Sequence, residues 1–449
     1  YIMDNNLTPG TLYSVKDGFL KEEQYTISKE QSTEIKNRFK DDLNKYEELI
    51  NRYLPRILDK IPELDRTALD IEVSTPLEDF IPDPETADHP VISVSLVTNR
   101  GDSLVLLYPN GQKTGERPKS FPEDVKLEFF ESEKDLLCRV FSSINETPIL
   151  VTFNGDNFDL RYLYYRAKKL GISEERIPIK IGDYADLKAG IHIDLYPFFN
   201  NVSIKGYAFG NRYTESTLNA ISKALLKEEK IQCDRFITDL TMMELAHYCW
   251  NDSKLTMDLT KFNDELVMRL IILLMRISHL PIEDLTRTAV SAWIRNLIFY
   301  EHRQKNYLIP NQEDILKEKG EAHSQAVIKG KKFKGAIVIE PTRGVHFNVV
   351  VLDFSSLYPS IIKEYNLSYE TVECPDPDCR KNILPGTDFC VCKKKVGIFS
   401  SIVGFLRDIR VDWFKIKSKD KSIPQETRDY YKVIEQALKV YINASYGVI

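Results

Sequence analysis

Long apolar runs, a secretory leader, internal repeats and low-complexity tracts are all missing from this sequence. The nearest approach to a membrane span, LVMRLIILLMRI, is broken by Arg269 and Arg276, so no spanning helix is expected. No signal peptide opens the chain, which starts at Tyr1 rather than Met, and we expect the natural N-terminus to be missing. An excess of positive charge is also lacking. The net charge of -6 argues against a simple nucleic-acid coat protein, although it leaves room for a local basic groove. Cysteine is sparse, seven in 449 residues, which points to a reducing compartment. What remains is an ordinary soluble composition, 43% hydrophobic and 29% charged, long enough for two to four domains.

Residues 28 to 60 are polar with a helical pattern; Ser32 is the expected cap, and Pro55 and Pro62 punctuate the exit. TALDIEV, HPVISVSLV, DSLVLLY and PILVTF read as strands between turn-forming residues. From Asp159 the spacing of Leu160, Leu163, Tyr164, Ala167 and Leu170 predicts an amphipathic helix stopped at Gly171. Strands followed by helices predict an α/β domain from roughly 60 to 265, with helical patterns dominating from 239 to about 306. The basic stretch KGKKFKGAIVIEPTRGVHF then leads into VLDFSSLYPSIIKEYN, expected to open as a buried strand and to turn away after Asp353. A cysteine-rich insertion (374 to 392) and two helical segments, about 399 to 419 and 425 to 445, complete the chain.

Three pieces of the α/β region carry chemistry. In LDIEV the strand period of two puts Asp70 and Glu72 on one face, where two carboxylates repel unless a cation such as Mg²⁺ or Mn²⁺ lies between them. In FNGDNFDLRYL a strand ends in a turn and Asp159 opens a helix, where an ordinary N-cap is the simpler reading of that residue alone. In HYCWNDSKL, Tyr248 and Asp252 are four apart and share a helix face. Taken together and in this order, the three resemble the proofreading 3'-5' exonuclease of DNA polymerases. The resemblance implies a ribonuclease H-like domain in which Asp70, Glu72, Asp159 and Asp252 hold two metal ions, with Tyr248 beside the attacking water.

DFSSLYPSII resembles the first palm motif of family B DNA polymerases. That resemblance makes Asp353 the ligand of a metal that bridges incoming triphosphate and primer, and Tyr358 the residue that leaves no room for a 2'-hydroxyl. Further on, LKVYINASYG sets Lys439, Asn443 and Tyr446 on one helical stripe closed by Gly447, similar to the family's fingers motif, in which the lysine holds the triphosphate and the tyrosine lies near the nascent pair. In GFLRDIRVDW, Arg410, with Arg407 ranked second, is the expected further grip on triphosphate oxygens.

The implied class is α/β and α+β multidomain, archaeal and replicative in character: a remnant N-terminal domain (1-62), the exonuclease domain (63-265), a helical return segment and linker (266-345), the first part of the palm with the cysteine cluster (346-395) and fingers helices (396-449). The family's second palm carboxylate motif and its thumb are not in the sequence, so no synthesis is expected of this chain by itself. The loop that reads Tyr-x-Gly-Gly or Tyr-x-Gly-Ala in relatives is Phe333-Lys334-Gly335-Ala336 here, which weakens the transfer of its role in coupling synthesis to editing. Cys374, Cys379, Cys390 and Cys392 could bind structural Zn²⁺, form two disulfides or remain free thiols. Implied partners are primer-template DNA, deoxynucleoside triphosphates and a sliding clamp or second polymerase subunit, with no membrane and a cytoplasmic, nucleoid-associated location. Competing readings are a stand-alone 3'-5' exonuclease with a vestigial polymerase half and a non-catalytic DNA-binding subunit. An RNA-making enzyme is disfavoured by Tyr358.

Overall fold

A hairpin of β1 (Tyr13–Lys16) and β2 (Phe19–Glu22) precedes helices α1 (Lys29–Arg38) and α2 (Leu43–Leu58). These come from a computed structural model that describes the chain except residues 24, 26, 76–80, 233–234, 320–326, 329–330, 333–338, 355 and 446–449. The cap of α1 is Ser28 rather than Ser32: its hydroxyl accepts the Gln31 N–H while the Gln31 side chain accepts the Ser28 N–H, which places Ser32 inside the helix. Pro55 likewise lies within α2, and its carbonyl accepts the Asp59 N–H where that helix ends.

The centre of the α/β region is a six-stranded sheet built from β3 (Thr67–Val73), β4 (Val91–Thr98), β5 (Ser103–Leu107), β6 (Lys126–Phe129), β7 (Ile149–Thr152) and, after a small β8 (Ile179–Ile181) and β9 (Ala185–Leu187) pair, β10 (Ile191–Asp194). The order is β10-β7-β3-β4-β5-β6, with β4 antiparallel to both neighbours and the other pairs parallel. The alternation in TALDIEV sends Leu69, Ile71 and Val73 to one face, under α3 (Glu133–Glu146) and α4 (Asp159–Lys169). Ala68 points to the other face, among Val97, Leu245 and Ala246.

That second face is covered by the long helix α7 (Met242–Ser278), reached through α5 (Leu195–Asn200) and α6 (Leu218–Leu225). Its close approach rests on Ser93 and Ser95 of β4, both fully buried and small. The Ser95 hydroxyl donates to the Cys249 carbonyl at 2.8 Å and pairs with the Ser253 hydroxyl. The helix breaks at Phe262, Asn263, Asp264 and Glu265, where buried Arg66 at the head of β3 donates to Thr260 Oγ1 (2.9 Å) and Glu265 Oε1 (2.6 Å).

Beyond the break α7 enters a helical core with α2, α9 (Val290–Gln304), α12 (Ile398–Asp408) and α14 (Gln425–Ser445). The remaining helices are α8 (Ile282–Arg287), α10 (Gln312–Lys319), α11 (Leu357–Glu364) and α13 (Lys415–Lys417), with a π-helical turn at Ile409–Phe414 between α12 and α13. No helix among the described residues is long and apolar enough to cross a membrane.

A second expectation is corrected. Residues 346–354 form no strand, and Val351, Leu352 and Phe354 are largely exposed instead of buried. A strand is stable through its neighbours' hydrogen bonds, and no described residue pairs with this segment. The helix expected after it, α11, is present.

Arg276 ties the two bodies' shared helix to the first sixty residues. Its guanidinium is fully buried and donates to the carbonyls of Gly10 (2.7 Å), Arg56 (3.0 Å) and Asp59 (2.7 Å). Arg276→Met keeps the aliphatic stem but orphans these carbonyls, and we expect it to cost about 3 kcal/mol. Urea unfolding followed by circular dichroism measures it; an unchanged midpoint would show that the carbonyls find other donors.

Candidate active site

The two-residue repeat of β3 presents Asp70 and Glu72 to α7, where Ser95 and Ser93 stand directly opposite them on β4. Serine leaves room there that a larger side chain would fill. From α7, Asp252 meets them, so that carboxylate oxygens of Asp70, Glu72 and Asp252 all lie within 4.8 Å of one another. Tyr248 sits one turn before Asp252 on the same helix face.

Asp159 approaches from the other side. It is the first residue of α4, with Phe158 at the cap position, so the simple N-cap reading does not hold. Its carboxylate accepts the backbone N–H of Ile71 at 3.2 Å, which fastens the helix start to the strand between the two acidic residues. Asp159 lies outside the three-carboxylate group. Its charge is nevertheless near enough to act on Asp70 and Glu72.

The loop before Asp159 is built tightly. Gly155 has no alternative, because a Cβ would meet Thr152 Oγ1 at 2.3 Å. Asp194, at the end of β10, accepts the N–H groups of Asn154 (2.7 Å) and Asp156 (3.1 Å). Arg287 of α8 grips the Asp156 carboxylate through Nε and Nη2, both at 2.9 Å, and reaches Asp186 at 2.6 Å. Burial opposes ionisation of Asp156, but His192 and Arg287 hold it below the usual carboxylate range.

Electrostatics sets the four site carboxylates apart from this paired one. Burial, followed by the charges of Asp252, Asp159 and Glu72, holds Asp70 well above the ordinary value. Glu72 is pushed up to about 8 by burial and then Asp252, and Asp159 to about 7 by burial. Asp252 is also raised by burial, although Lys230 opposes the shift. Lys230 Nζ lies 2.5 Å from Asp252 Oδ2 and 5.8 Å from the centre of the Tyr248 ring. The other oxygen, Asp252 Oδ1, is buried with no hydrogen-bond partner. A hard-oxygen donor set with repelling charges and an unpaired buried oxygen fits a divalent cation.

Lys230, Asp156, Asp194 and Arg287 escaped the sequence reading. Asp156 lies inside the quoted FNGDNFDL motif and was available there. Lys230 and Arg287 are brought in by loops and helices remote in sequence, and no local spacing marks them.

The second set of expected residues is only partly assembled. Arg410 lies in the π-helical turn, where Nη1 donates to Ser356 Oγ at 3.3 Å and Nη2 pairs with Glu435 of α14 at 2.5 Å. This places Arg410 between the start of α11, which carries Tyr358, and the helix that carries Lys439. Arg407 faces Asp408 (2.8 Å) and Asp412 (3.5 Å) instead. Tyr358 is about half exposed. Asn443 borders an open cleft of about 890 Å³, with Tyr196, Asn200 and Ser291 across it. Asp353 is exposed in the unpaired segment and is not brought to these groups. Tyr446, Gly447 and the Phe333-Lys334-Gly335-Ala336 loop lie outside the described residues. Cys374, Cys379 and Cys392 converge elsewhere, with their sulfurs within 4.8 Å of one another.

Comparison with known proteins defines the class. Residues 1–207 match the model of the DNA polymerase family B exonuclease domain, and residues 280–449 match the DNA polymerase family B model. The chain belongs to DNA polymerase family B. Among particular relatives, it is 45% identical to DNA polymerase 1 of Sulfolobus acidocaldarius over 100% of this chain and 51% of the relative. It is 43% identical to DNA polymerase 1 of Saccharolobus solfataricus, over 100% of this chain and 51% of that one. The chain thus spans about half the length of the curated relatives it matches. A solved family B DNA polymerase from the hyperthermophilic archaeon Pyrobaculum calidifontis shares the fold with a TM-score of 0.60 at 22% identity, covering 87% of this chain and 47% of that one.

The raised carboxylates carry a pH signature. In chelator, the folded chain holds protons on Glu72 and Asp159 that the unfolded chain releases near the usual carboxylate range, so their contribution to stability is present below that range and is lost as pH rises toward about 8. Measured against Glu72→Gln, the melting temperature of the wild type in EDTA should therefore fall between roughly pH 5 and 8, and added Mn²⁺ should restore most of it at the upper end. A wild-type profile parallel to the variant's over that window contradicts the assignment; the comparison cancels the opposite trend of buried His279, which is pushed down to about 3 by burial.

Proposed function

We propose that this chain contributes the proofreading exonuclease and the nucleotide-entry side of a template-directed, replicative DNA polymerase. The observation that carries the editing half is the Asp70, Glu72 and Asp252 cluster with its orphaned Asp252 Oδ1. In this reading residues 63–265 form the exonuclease domain, and Asp70, Glu72, Asp159 and Asp252 hold two Mg²⁺ or Mn²⁺ ions. Such ions, when bound, supply positive charge to the phosphodiester and acidify a water for attack.

The chain's own groups do the rest. Asp159 anchors to the Ile71 N–H, so its carboxylate keeps a set position relative to Asp70 and Glu72. Tyr248 holds its proton at working pH, because burial and then the charge of Glu72 raise its phenol, which can donate a hydrogen bond to the incoming water or phosphate. Lys230 neutralises Asp252 while the cation is away. Water adds to the last phosphorus of the primer, the bond to the preceding 3'-oxygen breaks, and that oxygen takes up a proton as a nucleoside monophosphate departs.

For synthesis, Arg410 and Lys439 would grip the triphosphate, with Asn443 and Tyr446 further along the same helix, and Tyr358 would exclude a 2'-hydroxyl. Asp353 would need the strand partners that the described residues do not provide. The two palm metals and the extension reaction therefore belong to a longer protein or an assembled one. A sliding clamp or second polymerase subunit is a partner consistent with that reading.

A primer labelled at its 5' end, single-stranded or mismatched, tests the proposal with this chain and Mg²⁺. Shortening from the 3' end is expected, and Asp159→Ala should slow it by at least about 100-fold. Shortening that persists in the variant would remove Asp159 from the reaction. Extension with deoxynucleotides present would overturn the assignment of synthesis to a longer assembly.

A further inference from the structure

The editing site leaves one other cluster of candidate ligands among the described residues unused: Cys374, Cys379 and Cys392. We propose that these three cysteines, with Cys390 as the fourth donor, form a structural Zn²⁺ site that clamps the segment between α11 and α12. This goes beyond the editing reading and does not depend on it.

Two short pieces of chain deliver the sulfurs. In CPDPDC the Asp376 side chain accepts the Asp378 N–H at 3.0 Å and starts a single turn, Pro377–Cys379, which leaves Cys379 fully buried. Opposite it, bridges between Val372 and Val391 and between Ile383 and Cys390 fold the chain back, so that Cys392 returns beside Cys379. The Cys392 N–H donates to the Thr371 carbonyl at 2.9 Å, fixing the register of that return.

The sulfur geometry decides between the three fates open to these residues. Cys379 Sγ and Cys392 Sγ lie 3.9 Å apart. Two thiolates on one tetrahedral zinc, each about 2.3 Å from it, stand about 3.8 Å apart, whereas a disulfide needs about 2.05 Å. Two disulfides would need the three converging sulfurs to split into one pair and a third joined to Cys390, yet all three lie within 4.8 Å of one another. Plain apolar packing would not aim three sulfurs at one point, nor would it surround them with donors. The Lys393 N–H donates to Cys379 Sγ at 3.4 Å, an N–H···S bond that favours the thiolate.

The fourth corner and the charge balance are also at hand. Cys390 is two residues before Cys392, and its sulfur lies 4.0 Å from the carbonyl oxygen of Cys374, beside the three-sulfur group. Zinc with four thiolates carries two net negative charges. Lys393 and Lys395 follow directly and bring positive charge, while Lys394 between them is taken up by Asp376 and Asp378, each at 2.7 Å.

What the site would hold is visible next to it. The Asn366 side chain, just past α11, donates to the carbonyls of Cys392 (3.1 Å) and Lys395 (2.8 Å) and accepts the N–H of Gly397, the cap of α12, at 2.8 Å. The cluster therefore fixes the separation between the helix bearing Tyr358 and the helix leading to Arg410.

The test is the zinc content of the whole chain, purified reduced and without chelator, by mass spectrometry and by release to a chromogenic indicator on mercurial titration. About one equivalent is expected. Cobalt substitution should give an intense thiolate charge-transfer band with the visible bands of a tetrahedral ion. Cys379→Ser and Cys392→Ser should each lose the metal, and Cys390→Ser should bind it at least about 10-fold more weakly. Wild-type measurements stand even if a variant fails to fold. Chelation should lower the melting temperature of the wild type, while Mg²⁺-dependent trimming of a primer by the zinc-depleted chain below that temperature stays unchanged, which separates this proposal from the editing one. Seven titratable thiols with no zinc, or a disulfide within the cluster in peptide maps, overturns it.

Discussion

Mutual repulsion among buried carboxylates is the constraint around which the α/β half of this protein is arranged. Asp70 and Glu72 share a strand face, Asp252 comes to them from α7, and the burial of Glu72 and Asp252 beside half-buried Asp70 removes much of the water that would screen them. Such a set is unfavourable by itself. Its surroundings read as the means of tolerating it: Ser93 and Ser95 keep the opposing strand small, Lys230 lends Asp252 a counter-charge, and the Ile71 N–H steadies Asp159. Asp156, a few residues away, is fully paired with Arg287 and is held low instead of high. Two aspartates three residues apart thus titrate in opposite directions, and the one left without a cationic partner is the one proposed to hold a metal.

Rigidity comes from elements shared between the two bodies. α7 contributes Tyr248 and Asp252 to the sheet side, breaks beside Arg66, and then contributes Leu270 and Leu274 to the helical core. Arg287, on the helix that follows, holds the loop that positions Asp159. Movement of the helical body would therefore reach the Asp70, Glu72, Asp159 and Asp252 carboxylates by two routes, through α7 and through the Asp156 ion pair. On the other side, Arg410 stands between α11 and α14, so the residues expected to meet a triphosphate are tied together by Ser356 and Glu435 before any ligand arrives.

How much of this could be read in advance depended on the range of the interactions. The period of two in LDIEV and the spacing of four between Tyr248 and Asp252 are local, so the faces they define were legible. The start of α1 was legible too, since Ser28 and Gln31 have the serine-to-glutamine spacing of a capping box that Ser32 lacks. The strand expected to open at Val351 and end on Asp353 failed because β-structure is a property of a pair: an apolar run states a preference, and neighbouring strands must satisfy it. Lys230 and Arg287 reach the site across the fold, and their importance exists only once the fold does. The cysteines were intermediate, because their spacing suggested a site but only the convergence of three sulfurs distinguishes among its fates.

Without metal, burial holds Glu72 and Asp159 toward their protonated forms, and a divalent cation that binds among them displaces those protons. Calorimetric titration of Mn²⁺ into the metal-free chain, repeated in buffers of different ionisation enthalpy, tests it most directly. At pH 7 the account predicts saturable binding with net proton release, because Glu72 titrates near 8 and Asp159 near 7. The release should shrink as pH rises well past those values, and Asp252→Asn should weaken binding. Saturable binding with no proton release at pH 7, or binding indifferent to Asp252→Asn, would contradict the account.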